Sequence, residues 1–205
     1  MCGRYSFTAA EAKEIQQIIQ EVSDKLYGQS IKTGEIYPTN IAPVIAAEGG
    51  QQIPTIMQWG FPHFKGSGVI INAMAETITE KKMFRDSVIA WRCVIPSTGF
   101  YEWGEENSQL TLFETPKTKG NKNKYLFTLQ EQKALYMAGI YKQFKGEDIP
   151  RFVILTTAAN KSISDIHERM PVVLRADKQS EWLSENADFD KIFDRQNIQL
   201  KRIPA

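Results

Sequence analysis

The chain has 205 residues, 42% hydrophobic and 24% charged, with a net charge of +1 at pH 7. That length suits one domain that buries its core without disulfides, and the near-zero charge excludes a bulk polycation, so any nucleic-acid contact has to be a local patch. No apolar run reaches the roughly 18 residues of a membrane span, and early polar residues argue against a secretory signal, so a reducing, cytoplasmic setting is expected.

From the N-terminus, MCGRYSF is followed by TAAEAKEIQQIIQEVSDKLY. Thr8 and Glu11 form a capping-box pattern, and Ala12, Ile15, Ile18, Ile19, Val22 and Leu26 recur at helical spacing. This predicts an amphipathic helix packed on a sheet. IYPTNIAPVIAA reads as a loop shaped by Pro38 and Pro43 that leads into a short strand. IPTIMQWGF predicts a strand ending at Trp59-Gly60. VIINAMAETI starts as an apolar strand and turns polar at Asn72. TITEKKMFRDSVIA predicts a short helix.

RCVIPSTGFYEW reads as strand, turn from Pro96 to Gly99, strand. TLFETPKTKGNKNKYLFTL predicts two strands around a polar loop. ALYMAGIY and RFVILTTAAN are apolar and β-branched, as strands are. KSISDIHERMPVVL is a loop leading to a short strand, ADKQSEWLSE a helix with Asp177 as its cap, and the tail one more strand. Many strands, few helices and no βαβ alternation predict an α+β fold. Its sheet is curled, barrel-like, mostly antiparallel and flanked by helices, in a single domain over 1–205.

Four stretches place polar groups beside strand-like residues: MCGRY, INAMAET, IPSTGFYEW and IHERMPVVL. Cys2 becomes the first residue if Met1 is removed, with an amine and a thiol on one residue. Alone, it allows a hydrolase nucleophile, a redox thiol or no role. Glu102 lies between Tyr101 and Trp103, and strand alternation puts it on the opposite face from both rings. It is then either a solvent-facing carboxylate or an acid desolvated in a cleft with a raised pKa. Asn72 is a satisfied turn amide or a donor to a substrate oxygen. His167 lies in a loop, where sites are often built; His63 follows Pro62 in an expected surface loop. Cys93 reads as a small buried hydrophobe. Two cysteines and two histidines without close spacing argue against zinc, and no metal or cofactor is expected.

Taken in order, Met1-Cys2-Gly3-Arg4, Asn72-Ala73-Met74-Ala75-Glu76-Thr77, Gly99-Phe100-Tyr101-Glu102-Trp103 and His167-Glu168-Arg169-Met170-Pro171 resemble the signature of the SRAP (SOS-response-associated peptidase) family. Asn40-Ile41-Ala42-Pro43, Trp59-Gly60, Ala138-Gly139-Ile140-Tyr141 and Thr156-Thr157-Ala158-Ala159-Asn160 extend the likeness to about residue 175. The resemblance implies a protein that binds single-stranded DNA carrying an abasic site and links to it through Cys2, with a peptidase activity on residues preceding that cysteine. Cys2, Asn72, Glu102 and His167 are then the expected catalytic set. Arg4, Trp59, Glu76, Arg85, Trp103, Lys161 and Arg169 are the expected DNA contacts, and a monomer on DNA is expected. One departure stands out: the family's arginine within Asn-Ala-Arg-Ala-Glu-Thr is Met74 here, so a phosphate contact is missing or is replaced by Arg4, Arg85, Lys161 or Arg169.

An N-terminal cysteine suits an aldehyde. An α-amine has a pKa of about 7.7–8.0 against about 10.4 for lysine, so far more of it is neutral at pH 7. The amine forms an imine with the ring-opened sugar, and the thiol then adds to the imine carbon, closing a five-membered thiazolidine. Both nucleophiles must sit on one residue. Two other readings share some of these features. Glutamine amidotransferases with an N-terminal cysteine nucleophile also begin Met-Cys-Gly, and a non-covalent single-strand-binding module needs no Cys2 at all.

Overall fold

The computed structural model describes residues 2–8, 12–25, 31–63, 66–105, 122–193 and 198–205. In chain order the strands are β1 (Tyr5–Phe7), β2 (Gly34–Ile36), β3 (Ile41–Glu48), β4 (Gln51–Trp59), β5 (Phe61–Pro62), β6 (Val69–Ile70), β7 (Asn72–Met74), β8 (Arg92–Ser97) and β9 (Gly99–Glu105), then β10 (Lys122–Leu129), β11 (Leu135–Lys142), β12 (Arg151–Ala158), β13 (Arg169–Pro171), β14 (Val173–Leu174) and β15 (Leu200–Pro204). Helices are α1 (Lys13–Lys25), α2 (Lys82–Ala90), α3 (Ala176–Leu183) and α4 (Phe189–Ile192), with a 3₁₀ turn at Ala75–Thr77.

Among the described residues two main sheets form. One runs β15-β10-β9-β1-β2, antiparallel throughout. In the other, β12 pairs with β4, β4 with β3, β3 with β8, β8 with β11, and β11 again with β12, so the strands close into a ring. This is the α+β, curled and mostly antiparallel architecture expected, apart from two short parallel pairings of β12 with β4 and β7. Both sheets share one core, in which Trp59 stacks on Phe152, the residue paired with it across β4 and β12.

Helix α1 buries Ile15, Ile18 and Val22 and lies on β3 and β4, as its spacing predicted. Leu26 and the Glu11 half of the capping box lie outside the described residues, as does the first of the two strands read in TLFETPKTKGNKNKYLFTL. Three local expectations change. Pro43 lies inside β3, where it pairs with Ile56; β8 joins the other side of β3 only at Ile45 and Ala46, so the missing N–H of Pro43 breaks no ladder bond there. Pro96 belongs to β8, and β8 and β9 fall in different sheets, so the segment around Thr98 is a corner between sheets, not a hairpin. A Cβ on Gly99 would meet the Phe127 carbonyl oxygen at 2.5 Å, which keeps that corner free of a side chain. Finally, the cap of α3 is Arg175; Asp177 sits in the first turn and accepts a bond from Arg175 Nε at 3.1 Å.

Candidate functional site

The site forms where the N-terminal segment runs along β9. Tyr5 pairs with Phe100, and Tyr101 N–H donates to the Arg4 carbonyl at 2.9 Å. The same register carries Gly3 past Glu102. Cys2 is completely buried, with its Sγ 3.7 Å from the Arg4 carbonyl. Burial pushes the thiol pKa up, and the nearby Glu102 charge adds to the rise. The group is therefore a thiol rather than a thiolate at neutral pH.

Asn72 opens β7, which β12 holds by pairing Ile154 with Asn72. Its Nδ2 donates to the Cys2 carbonyl at 2.9 Å, so the amide grips the Cys2 backbone across 70 residues of sequence. The Asn72 Oδ1 is buried and has no hydrogen-bond partner among the described residues.

Glu102 is only 4% exposed, which decides between its two readings. Alternation does separate it from Tyr101 and Trp103, but the carboxyl faces inward. Desolvation raises its pKa, and His167 acts on it in the opposite sense. Thus Cys2, Glu102 and His167 share one electrostatic environment.

His167 arrives on the loop between β12 and β13. Asn160 folds that loop by accepting Ser162 N–H at 3.0 Å and donating to the Ile198 carbonyl at 2.7 Å. His167 Nδ1 accepts the Arg169 backbone N–H at 2.9 Å. A ring nitrogen that accepts an N–H carries no proton, so the neutral imidazole keeps its proton on Nε2 and presents a donor there. Arg169 is anchored in turn. Its guanidinium grips Glu76 at 3.1 and 2.7 Å and donates to the Thr156 carbonyl at 2.6 Å. Glu76 also accepts from Thr157 Oγ1 at 3.0 Å and from Ala158 N–H at 3.1 Å. Desolvation would raise the Glu76 pKa, but the Arg169, backbone and Thr157 bonds outweigh it and bring it down to about 2.

The structure therefore brings Cys2, Asn72, Glu102 and His167 together, with Arg4 and Trp103 alongside. Several expected DNA contacts sit differently. Trp59 is fully buried, and its Nε1 donates to the Ile71 carbonyl at 3.0 Å, so its ring has no free face for a base. Glu76 is the ion-pair partner of Arg169, at 2.7 Å. Arg85 lies on α2, 3.7 Å from Asp86, outside this network. Lys161 is exposed in the turn after β12. Met74 is 39% exposed where the family arginine was expected.

Two positioning residues were not anticipated. Gly104 lies on the same face of β9 as Glu102, and Ile166 packs into the space its missing side chain leaves. Glu35 gathers Arg4, Tyr37 and Lys124 beside the site. Neither has a local sequence signal, because each acts on residues distant in the chain. Among the described residues no group of His, Cys, Asp and Glu could hold a metal ion, and no helix is long and apolar enough to cross a membrane.

The family model for SOS response associated peptidase (SRAP) matches residues 1–202. The chain belongs to the SRAP family. Abasic site processing protein YoqW of Bacillus subtilis is 32% identical to this SRAP chain, covering 93% of it and 84% of its own length. Abasic site processing protein YedK of Escherichia coli is 24% identical over 89% of this chain and 79% of its own. Among solved structures, a protein from Bacteroides thetaiotaomicron has a TM-score of 0.75 at 23% identity, covering 99% of this chain and 91% of that one, which shows the same fold. The family match spans all four SRAP motifs, whereas the amidotransferase likeness stops at Met-Cys-Gly.

Proposed function

We propose that this SRAP protein recognises abasic sites in single-stranded DNA and, once Met1 is removed, links covalently to them through Cys2. The observation that carries this reading is the convergence on Cys2: Asn72 holds its carbonyl at 2.9 Å, Glu102 stands close enough to raise the thiol, and His167 stands close enough to act on Glu102. The names of the relatives, abasic site processing proteins, support the substrate.

The order of steps follows from the electrostatics. A thiol pushed up by burial is a poor first nucleophile, so the α-amine of Cys2 attacks the aldehyde carbon. Glu102, whose raised pKa keeps it protonated to higher pH, gives its proton to the departing hydroxyl of the carbinolamine. Water leaves, a protonated imine remains and Glu102 is left as its carboxylate. The thiol then adds to the imine carbon: sulfur takes the carbon, the C=N π electrons settle on the nitrogen, which keeps its proton, and the thiol proton passes to the Glu102 carboxylate, which regenerates the acid. His167, a donor at Nε2, hydrogen-bonds the sugar hydroxyl and favours the open-chain aldehyde. Positioned acid–base groups of this kind contribute about 10²- to 10⁴-fold. The peptidase step is hydrolysis of the Met1–Cys2 bond, which consumes one water and exposes the amine. The imine stage also gives the site a lyase-like capacity. The protein acts as a monomer in the cytoplasm and joins the nucleoid when on DNA.

Intact mass spectrometry tests this. Protein whose mass shows loss of Met1 is mixed with a single-stranded abasic oligonucleotide, and the expected product has the summed mass less one water. It survives denaturing gels. Cys2→Ser yields only a reversible imine that borohydride traps. Absence of any adduct with the processed protein sinks the proposal.

A further inference from the structure

A cleft of about 270 Å³ opens between β5, the start of α2 and the turn after β11, and none of its residues belongs to the Cys2 site. Phe61, Met83 and Phe144 give it an apolar lining, with Lys82, Asp86 and Lys142 set among them. The rings are fixed in place. Phe61 is buried and meets Phe144 edge-on, with centroids 5.3 Å apart and planes at 74°. Phe144 sits on a hydrogen-bonded turn, where its carbonyl accepts Glu147 N–H at 3.2 Å and Gln143 Nε2 at 3.3 Å. Arg151 ties that turn to Gly60, through Nε to the Glu147 carboxylate at 2.5 Å and through Nη1 to the Gly60 carbonyl at 3.3 Å. Gly60 directly precedes Phe61, so both rings hang from one frame. The cations are uncommitted: neither Lys82 nor Lys142 makes an ion pair among the described residues, and Lys142 Nζ lies 5.9 Å from the Phe144 centroid. Asp86 already has Arg85 Nε at 3.7 Å. The cleft thus sets two unpaired ammonium groups beside aromatic surface.

We propose that this cleft receives the C-terminal residue of a partner polypeptide, with its aromatic or large aliphatic side chain against Phe61, Met83 and Phe144 and its α-carboxylate between Lys82 and Lys142. The volume selects a single residue. It lies just under the range of about 300–1,000 Å³ that holds drug-sized ligands, so one ring and one acid group fill it and an extended cofactor does not. The charge selects an anion, since an ammonium group only donates and has no carboxylate of its own here. The open rim selects a chain end over a free acid. Sites for small molecules bury about 70–90% of the ligand, which a cleft edged by the exposed Lys82 does not do. The last residue of a chain instead needs an exit for the residues before it. Such a contact lets a second protein hold this one without touching Cys2, and it stands independently of the reading of Cys2 given above.

The test is an NMR titration of the full chain with the acetylated pentapeptide Gly-Ser-Gly-Ser-Phe bearing a free C-terminal carboxylate. Saturable binding with a Kd below about 1 mM is expected. The C-terminal amide of the same peptide, and the peptide ending in Ala, should each bind about tenfold more weakly, for want of the charge or of the ring. N-acetyl-phenylalanine, the lone acid, should bind more weakly than the peptide. Lys82→Gln combined with Lys142→Gln should bring the peptide down to the affinity of its amide while leaving the amide unchanged, which isolates the carboxylate contact. Phe144→Ala should weaken peptide and amide alike. The two lysine substitutions leave the core intact, so the result does not hang on whether Phe144→Ala folds. No saturable binding up to about 5 mM peptide, equal affinity for peptide and amide, or an unchanged affinity in the double lysine variant overturns the site. Binding of N-acetyl-phenylalanine as tight as that of the peptide overturns the chain end as its occupant.

Discussion

Gly104 and Ile166 fit together because one of them has no side chain. A Cβ on Gly104 would lie 2.5 Å from Ile166 Cδ1 and 3.1 Å from its Cγ2. Ile166 precedes His167, and Gly104 shares a face of β9 with Glu102 two residues before it. The missing Cβ is thus what lets the His167 loop settle against the carboxyl. Gly104→Val should push that loop outward, and misplacement by about 1 Å can cost roughly a hundredfold in rate. Crosslinking kinetics should slow by about ten- to a hundredfold, while Gly104→Ala with Ile166→Ala, which restores the space, should recover most of the rate. A double variant as slow as Gly104→Val would remove the steric explanation.

Glu102 is held at a cost to folding. Burial raises its pKa, so the folded protein binds this proton more tightly than the unfolded chain does. Stability therefore falls as pH rises from the unfolded carboxyl pKa of about 4.3 through the raised folded value, and levels off above it. Glu102→Gln should melt at a higher temperature than wild type at pH 8, and the gap should close toward pH 4. The same variant should crosslink about 10²- to 10⁴-fold more slowly and lose the decline in rate that wild type shows as its acid ionises. Thermal melts across pH, paired with rates, check both halves. An unchanged pH dependence of melting would show that the carboxyl is not strained.

The Glu76–Arg169 pair has the opposite sign. Glu76 titrates at about 2, below its ordinary 4.5. Its contribution is fully present above about 4.5 and is lost as pH falls through 2. Because 41% of the Glu76 side chain is exposed, solvent screening reduces that contribution to roughly 1 kcal/mol. Glu76→Gln should be less stable than wild type by about that amount at pH 7, and the difference should vanish near pH 2. Urea unfolding at several pH values measures it. An equal deficit at pH 2 and pH 7 would mean that the lost bonds, not the charge, account for it.

How far the sequence revealed all this depends on whether an interaction is local. Strands β8, β9, β11 and β12 and helices α1 to α3 follow from periodicity and composition, which are properties of neighbouring residues. The motif residues Cys2, Asn72, Glu102 and His167 were legible as polar groups set in apolar runs. The direction in which Glu102 points was not. Alternation separates it from Tyr101 and Trp103, but the buried side is chosen by β1 and β10 and by the loop packed over Gly104. Trp59 failed for a related reason, since its partners Phe152 and the Ile71 carbonyl are fixed by pairing across β4 and β12. Glu35 meets Lys124 across 89 residues, a distance no pattern within a segment spans.

Arg92 is the last such case, because it reads as an ordinary polar residue at the start of a strand. It is buried, and Nε donates to the Trp182 carbonyl at 2.7 Å, Nη1 to Val88 and Ile89 at 2.6 and 2.5 Å, and Nη2 to Ser184. Those carbonyls close the C-terminal ends of α2 and α3, which a helix leaves unsatisfied and where a cation is favoured. Burial lowers the Arg92 pKa, yet a guanidinium stays protonated in proteins. One planar fork thus fastens two helices to β8. Lysine offers a single point donor and cannot reach four carbonyls, so Arg92→Lys and Arg92→Met should both lose about 3 kcal/mol, the order expected when buried acceptors lose a charged donor. For a chain of this size that is a fall of roughly 6–12 °C in Tm. Differential scanning calorimetry decides it: a loss under about 1 kcal/mol in Arg92→Met would mean that water satisfies these carbonyls equally well and that the guanidinium is dispensable to the fold.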